Sequence, residues 1–249
     1  MYYYIYDEFV QDRRYEKELL KIENRLADLG ITGKVARLAL FRDPGELIRD
    51  EVGRGISTVV AVGNDETVRK VLDAVALQGA VFGIIPLGAP NALARLLGLP
   101  EGAAACDVLS ARIIETIDLG SVNGRRFITG IRAENFSADV KCDGKFSIHP
   151  LTSGTLEIRN LSGAAADGST LADPQDGSLD IILQVQGRRP WLFGRRLPQE
   201  SFFPAKKMII ESRAPTTLLV DGQEMIDTRF DIRIEPKRFQ VITSKKRMF

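Results

Sequence analysis

Three groups of residues in this 249-residue chain have types and spacings that could do chemistry. The first is Gly63-Asn64-Asp65-Glu66-Thr67, which follows the apolar run Val59-Val60-Ala61-Val62 and precedes a helical pattern. A strand that hands over to a helix at a glycine turn lets main-chain N–H groups approach an anion, and the helix N-terminus adds partial positive charge. This turn also carries two carboxylates. A Glu66 charge about 4 Å from a phosphate charge would be repelled by about 4 kcal/mol at an effective dielectric of about 20. Glu66 has a plainer reading too, as an acid in the first turn of a helix, where it complements the dipole. The second group is Asp173, Asp176 and Asp180, three carboxylates around a turn without the ligand spacing of a calcium loop; as turn formers they need no further role. The third is Arg188-Arg189-Pro190-Trp191-Leu192-Phe193-Gly194-Arg195-Arg196, four arginines around three apolar side chains. With Phe202, Phe203, Lys206 and Lys207 close behind, it suits an anionic membrane surface, or else an inward-packed hairpin or a dimer contact. His149 is the single histidine; it precedes Pro150 in a turn-like run and does not by itself make a triad with a nucleophile. Cys106 and Cys142 read as packing residues.

Composition narrows the setting. A net charge of +1 supplies no field for nucleic acid, so no nucleic-acid partner is expected. Two cysteines give neither a disulfide framework nor a metal cluster, which fits a reducing compartment. The opening MYYYIYDEFVQDRR lacks the basic and long apolar regions of a signal peptide, and no apolar run approaches the roughly 20 residues of a membrane span. The expectation is a cytoplasmic protein, with peripheral contact at a membrane through Arg188, Arg189, Trp191, Phe193, Arg195 and Arg196. A homodimer through exposed strand edges is a further expectation that no residue pattern specifies.

The elements that must position these groups change rhythm near residue 110. Before it, strand and helix signals alternate: Tyr2 to Tyr6, a helix from Tyr15 to Leu29 with Gly30 as C-cap, Val35 to Phe41, a helix opened by Asp43 and Pro44, Ser57 to Val62, a helix from Asp65 to Val75, Val81 to Ile85, and a short helix from Asn91 to Leu97. Such alternation predicts a parallel sheet covered by helices. After it, strand-like runs follow one another: Arg112 to Ile117, Phe127 to Arg132, Gly154 to Arg159, Leu179 to Val185, Met208 to Ser212, Thr216 to Val220, Phe230 to Ile234 and Phe239 to Ile242. Asn123-Gly124, Asp143-Gly144 and Asp221-Gly222 supply turn signals. The pattern predicts residues 1–110 as an α/β domain, nucleotide-binding-like in its glycine turn, and 111–249 as an antiparallel β-sandwich or barrel domain.

Two segments about twenty residues apart, VVAVGNDETVRKVLDAV and FGIIPLGAPNALARLLGLP, resemble the diacylglycerol kinase catalytic-domain family, which includes bacterial lipid kinases and sphingosine kinases. The first stands where the family has a strand followed by GGDGT. In the second, Pro86, Gly88, Asn91, Ala94, Arg95, Leu97 and Gly98 fall in register with P-x-G-T-G-N-D-x-A-R-x-L-G. Further matches in order are IDLGSVNGRRF (117–127), DPQDGSLDI (173–181) and LLVDGQE (218–224). The resemblance implies a Rossmann-like three-layer α/β domain followed by a β-sandwich, of the NAD kinase and diacylglycerol kinase type. It also implies ATP-dependent phosphoryl transfer to a lipid hydroxyl, with ATP and Mg²⁺ as cofactors. Carried over residue by residue, it assigns the nucleotide to Gly63, Asn64, Asp65, Glu66, Thr67, Gly88 and Asn91, magnesium to Asp65 and Asp118, and the general base to Asp221.

The match is uneven at the places chemistry would use. Asn64 and Glu66 replace glycines; Asn reaches positive φ more readily than most residues, whereas Glu66 brings a side chain and a charge where bare main chain is wanted. Ala89-Pro90-Asn91-Ala92 replaces T-G-N-D, removing one N–H at Pro90 and one family carboxylate at Ala92. The family glutamate beside the base is Gln223, which neither accepts a proton at neutral pH nor holds a metal as a carboxylate does. Tyr6 to Val10 stands where N-P-x-S-G is expected, and only Val140 to Gly154 stands where larger members carry an insertion. Two functions follow: an ATP-dependent lipid kinase, or a degenerate relative that binds a nucleotide, a lipid or a protein. An NAD kinase shares the glycine-turn logic but fits PLGAPNALARLLGLP less well.

Overall fold

The computed structural model describes residues 1–38, 43–162, 172–186 and 198–249. The basic, aromatic run 188–196 therefore lies outside the described residues. The chain forms two compact units, Met1–Ile117 with Lys237–Met248, and Asp118–Pro236 with Phe249.

In the first unit β1 (Tyr2–Tyr6), β2 (Gly33–Arg37), β3 (Thr58–Gly63) and β4 (Val81–Pro86) are parallel, in the order β2-β1-β3-β4. Helices α1 (Glu16–Asp28), α2 (Pro44–Gly53) and α3 (Asp65–Gln78) make the crossovers, and α4 (Ala92–Leu96) and α5 (Ala105–Ala111) follow β4. Every residue of β3 and β4 is buried, as strands covered on both faces require. Val60 and Val62 share one cluster with Tyr4, Tyr6, Ile22 and Leu26 of α1, and Cys106 and Leu109 of α5. Burial pushes the Cys106 thiol up to about 11, so it behaves as the packing residue the sequence suggested. Helix α3 buries Val68, Val71, Leu72 and Val75 at helical spacing. Asp43 accepts the Gly45 N–H at 2.8 Å with Pro44 behind it, the predicted opening of α2.

The strand order reverses between β1 and β3. In an open α/β sheet, ligands bind outside the carboxyl ends of the strands at such a switch point. The residues placed there are Asp7, one past β1, and Gly63 to Thr67, where β3 gives way to α3.

The second unit is built of antiparallel strands. Its segments are β5 (Ile113–Val122), β6 (Arg125–Phe127), β7 (Gly130–Phe136), β8 (Asp139–Cys142), β9 (Phe146–Ile148), β10 (Gly154–Arg159), β11 (Leu179–Gln186), β12 (Pro198–Ala205), β13 (Lys207–Val220) and β14 (Gln223–Thr243). β5 and β14 each continue into the first unit, where Val241 of β14 pairs in parallel with Phe82. One run of neighbours is β12-β11-β10-β7-β13. The long β13–β14 hairpin pairs its turn end over Thr216–Val220, shifts register between Glu211 and Thr216, and pairs again over Lys207–Glu211, where β8 joins β13. One buried cluster of this unit gathers Phe127, Phe136, Leu156, Ile158, Ile181, Ile210, Leu218, Phe230 and Ile232.

Several strand readings are corrected by this geometry. Phe127 to Arg132 is two strands, interrupted at Ile128–Thr129. The paired runs 208–212 and 216–220 are one strand, as are 230–234 and 239–242. A β-hairpin, β8–β9, occupies part of the stretch where larger members of the resembled family carry an insertion.

Candidate functional site

The turn at the end of β3 is organised by its own side chains. Asn64 is the N-cap of α3, with φ −110° and ψ −170°, so it does not take the positive φ expected of a glycine substitute. Its carboxamide oxygen accepts the Glu66 N–H at 3.0 Å and the Thr67 N–H at 3.3 Å. The Thr67 hydroxyl in turn accepts the Asn64 N–H at 3.1 Å, completing a capping box. Gly63 is required because a Cβ there would stand 2.1 Å from the Thr67 hydroxyl. The remaining donor, the Asp65 N–H, reaches the Pro90 carbonyl at 2.9 Å. All four N–H groups from 64 to 67 are thus already bonded within the chain.

The loop before α4 is bound to this turn. The Asp65 carboxylate accepts the Ala92 N–H at 2.7 Å and the Leu93 N–H at 3.1 Å, serving the start of α4 as a cap from a neighbouring helix. Asn64 Nδ2 donates to the Ala89 carbonyl at 3.1 Å. Asn91 is buried, and its Nδ2 donates to the Gly88 carbonyl and to Glu101. Gly88 has φ +81°, and Phe9 and Tyr15 crowd the place of a Cβ. The structure therefore brings Gly63, Asn64, Asp65, Glu66, Thr67, Gly88 and Asn91 together, in a network in which they satisfy one another.

Asp7 and Lys70 belong to the same site and were missed as a pair. Asp7 is only 2% exposed. It accepts the Thr67 hydroxyl at 2.8 Å, and Lys70 lies 3.0 and 3.2 Å from its two oxygens. Lys70 also lies 3.7 Å from Glu66, whose side chain is 57% exposed. The signal available in the sequence was modest: an acid directly after an apolar strand, and a lysine at i+4 from Glu66 on the following helix.

The other two candidates lie in the second unit. Asp118 is fully buried. Its carboxylate accepts the Gly177 N–H at 2.7 Å, and its N–H donates to the Pro174 carbonyl at 2.6 Å. Asp221, at φ +46°, accepts the N–H groups of Ile128, Thr129 and Gly130 at 2.8, 2.9 and 3.1 Å, together with the Thr129 hydroxyl. This clamp is what interrupts the strand between β6 and β7. Asn160, buried and unnoticed in the sequence, donates to the carbonyls of Asp118 and Ile128 and so links the two regions. Gln223 accepts from Arg125. Asp173 and Asp176 accept N–H groups of their own turns, from Gln175 and Ser178. Burial, with Asp176 beside it, raises the Asp180 carboxyl. Among the described residues no group of three or more His, Cys, Asp and Glu side chains is arranged to hold a metal ion. His149 pairs with Asp139 at 2.8 Å on the surface, and burial pushes the Cys142 thiol up to about 11.

Comparison with known proteins supplies the relatives. The family model described as diacylglycerol kinase catalytic domain matches residues 2–122. A probable lipid kinase YegS-like of Pseudomonas aeruginosa (strain UCBPP-PA14) is 39% identical over 88 residues, 34% of this chain and 29% of the relative. A diacylglycerol kinase of Bacillus subtilis (strain 168) is 26% identical over 118 residues, 46% of this chain and 39% of the relative. The matched stretches thus span well under half of these curated relatives. The crystal structure of a diacylglycerol kinase from Bacillus anthracis str. Sterne is similar in fold over 99% of this chain and 97% of that one, with a TM-score of 0.78 at 18% identity.

Proposed function

We propose that this chain, whose residues 2–122 match the diacylglycerol kinase catalytic-domain family model, is a catalytically degenerate member of that family, a binding module on a lipid-kinase fold rather than an efficient ATP-dependent lipid kinase. One observation carries this reading: the N–H groups of residues 64 to 67, which would have to face a polyphosphate, already donate to Thr67, Pro90 and Asn64. Each such bond is worth about 1 kcal/mol net, and an anion must displace them before gaining its own. Glu66 adds repulsion of up to about 4 kcal/mol, lessened by its exposure and by Lys70.

The residues present do not fit the family's magnesium either. Both oxygens of Asp65 are committed to α4, and Ala92 carries no carboxylate. Membrane contact through Arg188, Arg189, Trp191, Phe193, Arg195 and Arg196 is the companion proposal, tested by sedimentation with anionic vesicles before and after replacing the four arginines.

The deciding experiment titrates the full chain with Mg-ATP by thermal shift and assays transfer of labelled γ-phosphate to diacylglycerol in mixed micelles. A ligand of the native state raises the midpoint as its concentration exceeds Kd. The expected outcome is no shift at roughly millimolar ATP and no labelled lipid. A clear shift together with turnover would overturn the proposal. Converting Asn64 and Glu66 together to glycine should raise ATP affinity by about tenfold or more, and unchanged affinity would remove the side-chain cap as the cause.

A further inference from the structure

The N-terminal half of α1 and the carboxyl ends of β1 and β2 border a cavity of about 560 Å³ inside the first unit, a volume typical of small-molecule sites. Its polar lining includes Tyr6, Arg13, Glu16, Glu23 and Arg37. Tyr6 and Arg37 are register partners on adjacent parallel strands, so their side chains leave the same face of the sheet. Glu16 and Glu23 are two helical turns apart and share a face of α1.

Two observations make this more than a surface hollow. The Tyr6 hydroxyl is buried and has no hydrogen-bond partner among the described residues, an uncommon state for a native polar group. Burial first, and the Glu23 charge second, push it up to about 12, so it is a neutral donor with its proton unused. In addition, Arg13, Arg37, Glu16 and Glu23 make no ion pair with one another or with any other described residue. Two guanidinium groups and two carboxylates thus face one cavity without neutralising each other.

We propose that this cavity binds a small zwitterion, its anionic group held by Arg13 and Arg37 and its ammonium by Glu16 and Glu23, with the Tyr6 hydroxyl donating the orienting hydrogen bond. The arginine fork suits a phosphate or carboxylate, and the ammonium needs only acceptors. Leu19 and Leu20 line the same cavity and give a short carbon spacer an apolar wall. None of these residues belongs to the Asn64–Thr67 turn, so the proposal stands apart from the question of ATP.

Isothermal titration of the full chain with O-phosphoethanolamine tests it, with inorganic phosphate and ethanolamine as the two single-charge halves. The zwitterion should bind with Kd near or below roughly 1 mM, and each half at least about tenfold more weakly. Arg37→Ala and Glu23→Gln should each weaken binding by about tenfold, and Tyr6→Phe, which keeps the packing, by about threefold or more. Circular dichroism identifies any variant lost to unfolding; the conservative Tyr6→Phe and Glu23→Gln then decide. Vesicles of phosphatidylethanolamine that compete with the free compound would assign the headgroup of a lipid, and lack of competition a free metabolite; either outcome upholds the site. Absence of heat at roughly 20 mM, phosphate alone binding as well as the zwitterion, or binding unmoved by the substitutions overturns it.

Discussion

At the N-terminus of α3, Asn64 accepts N–H groups two and three residues further along the chain. At the tip of the β13–β14 hairpin, Asp221 accepts N–H groups 93, 92 and 91 residues earlier. Both are short polar side chains at turns where phosphoryl-transfer chemistry was expected, and both are spent on main chain. The first caps a helix that its buried face, Val68, Val71, Leu72 and Val75, would hold in any case. The second fixes the break between β6 and β7 against a distant hairpin, and among the described residues no other side chain serves those three donors. A local cap trims the energy of one element; a long-range clamp joins segments that pay a loop-closure entropy to meet.

The sharpest way to break this comparison is to remove the clamp. Asp221→Ala should lower unfolding free energy by about 3 kcal/mol, because three N–H groups and a hydroxyl lose a half-buried acceptor at once. Asp221→Asn keeps one acceptor oxygen and should lose about 1 kcal/mol. Urea midpoints measure both. A loss for Asp221→Ala within the roughly 0.5 kcal/mol of an ordinary surface substitution would end the clamp interpretation.

Next in size is the Asp7–Lys70 pair. Lys70→Met leaves a carboxylate that is 2% exposed without its cation. The expected cost is about 2 kcal/mol, reduced from the fully buried case because Lys70 itself reaches water. Adding Asp7→Asn should recover part of that loss, since the neutral amide tolerates burial better than the orphaned charge. A double variant no more stable than Lys70→Met would mean that the two groups do not compensate each other.

The cap should matter least of the three. Asn64→Ala should cost about 1 kcal/mol and Asn64→Gly only a few tenths. If Asn64→Ala proved as damaging as Asp221→Ala, distance along the chain would not be what separates the two turns.

Much of the fold was legible because hydrophobic periodicity carries it: the alternation before residue 110, the Asp43-Pro44 opening of α2, and the Asn123-Gly124 and Asp221-Gly222 hairpin turns, which hold positive φ at both residues. Helix α5 was missed because Ala105 to Ala111 is one short element with few apolar side chains to set a period. β13 and β14 were each read in two pieces because Arg213-Ala214-Pro215 and Pro236-Lys237-Arg238 interrupt the apolar pattern; in the structure the strands run on through these polar stretches. The candidate residues around Gly63 were legible as a set, since a glycine turn between strand and helix marks itself. Their roles were not. Spacing cannot reveal that the Asp65 carboxylate turns to the N-terminus of α4, or that Asp221 reaches back to residue 128, because both depend on partners fixed only by tertiary packing.

The weakest effect sharpens the comparison from the other direction, because Asp180 is a carboxylate of the second unit that the fold does not reward. Burial raises its carboxyl, the neighbouring Asp176 adds to the rise, and Arg159 offsets part of it. A folded-state value above the unfolded one means that the native state holds the proton more tightly. Stability from that preference is present below the unfolded value of 3.8 and is lost as pH rises through the higher folded value. Asp180→Asn removes the charge at neutral pH while keeping the shape. It should therefore raise the thermal midpoint slightly at about pH 7 and leave it unchanged at about pH 3, where both states of the natural chain are already protonated. A midpoint that falls at neutral pH would show Asp180 to be a clamp like Asp221, and one that rises equally at both pH values would take the ionisation of Asp180 out of the explanation.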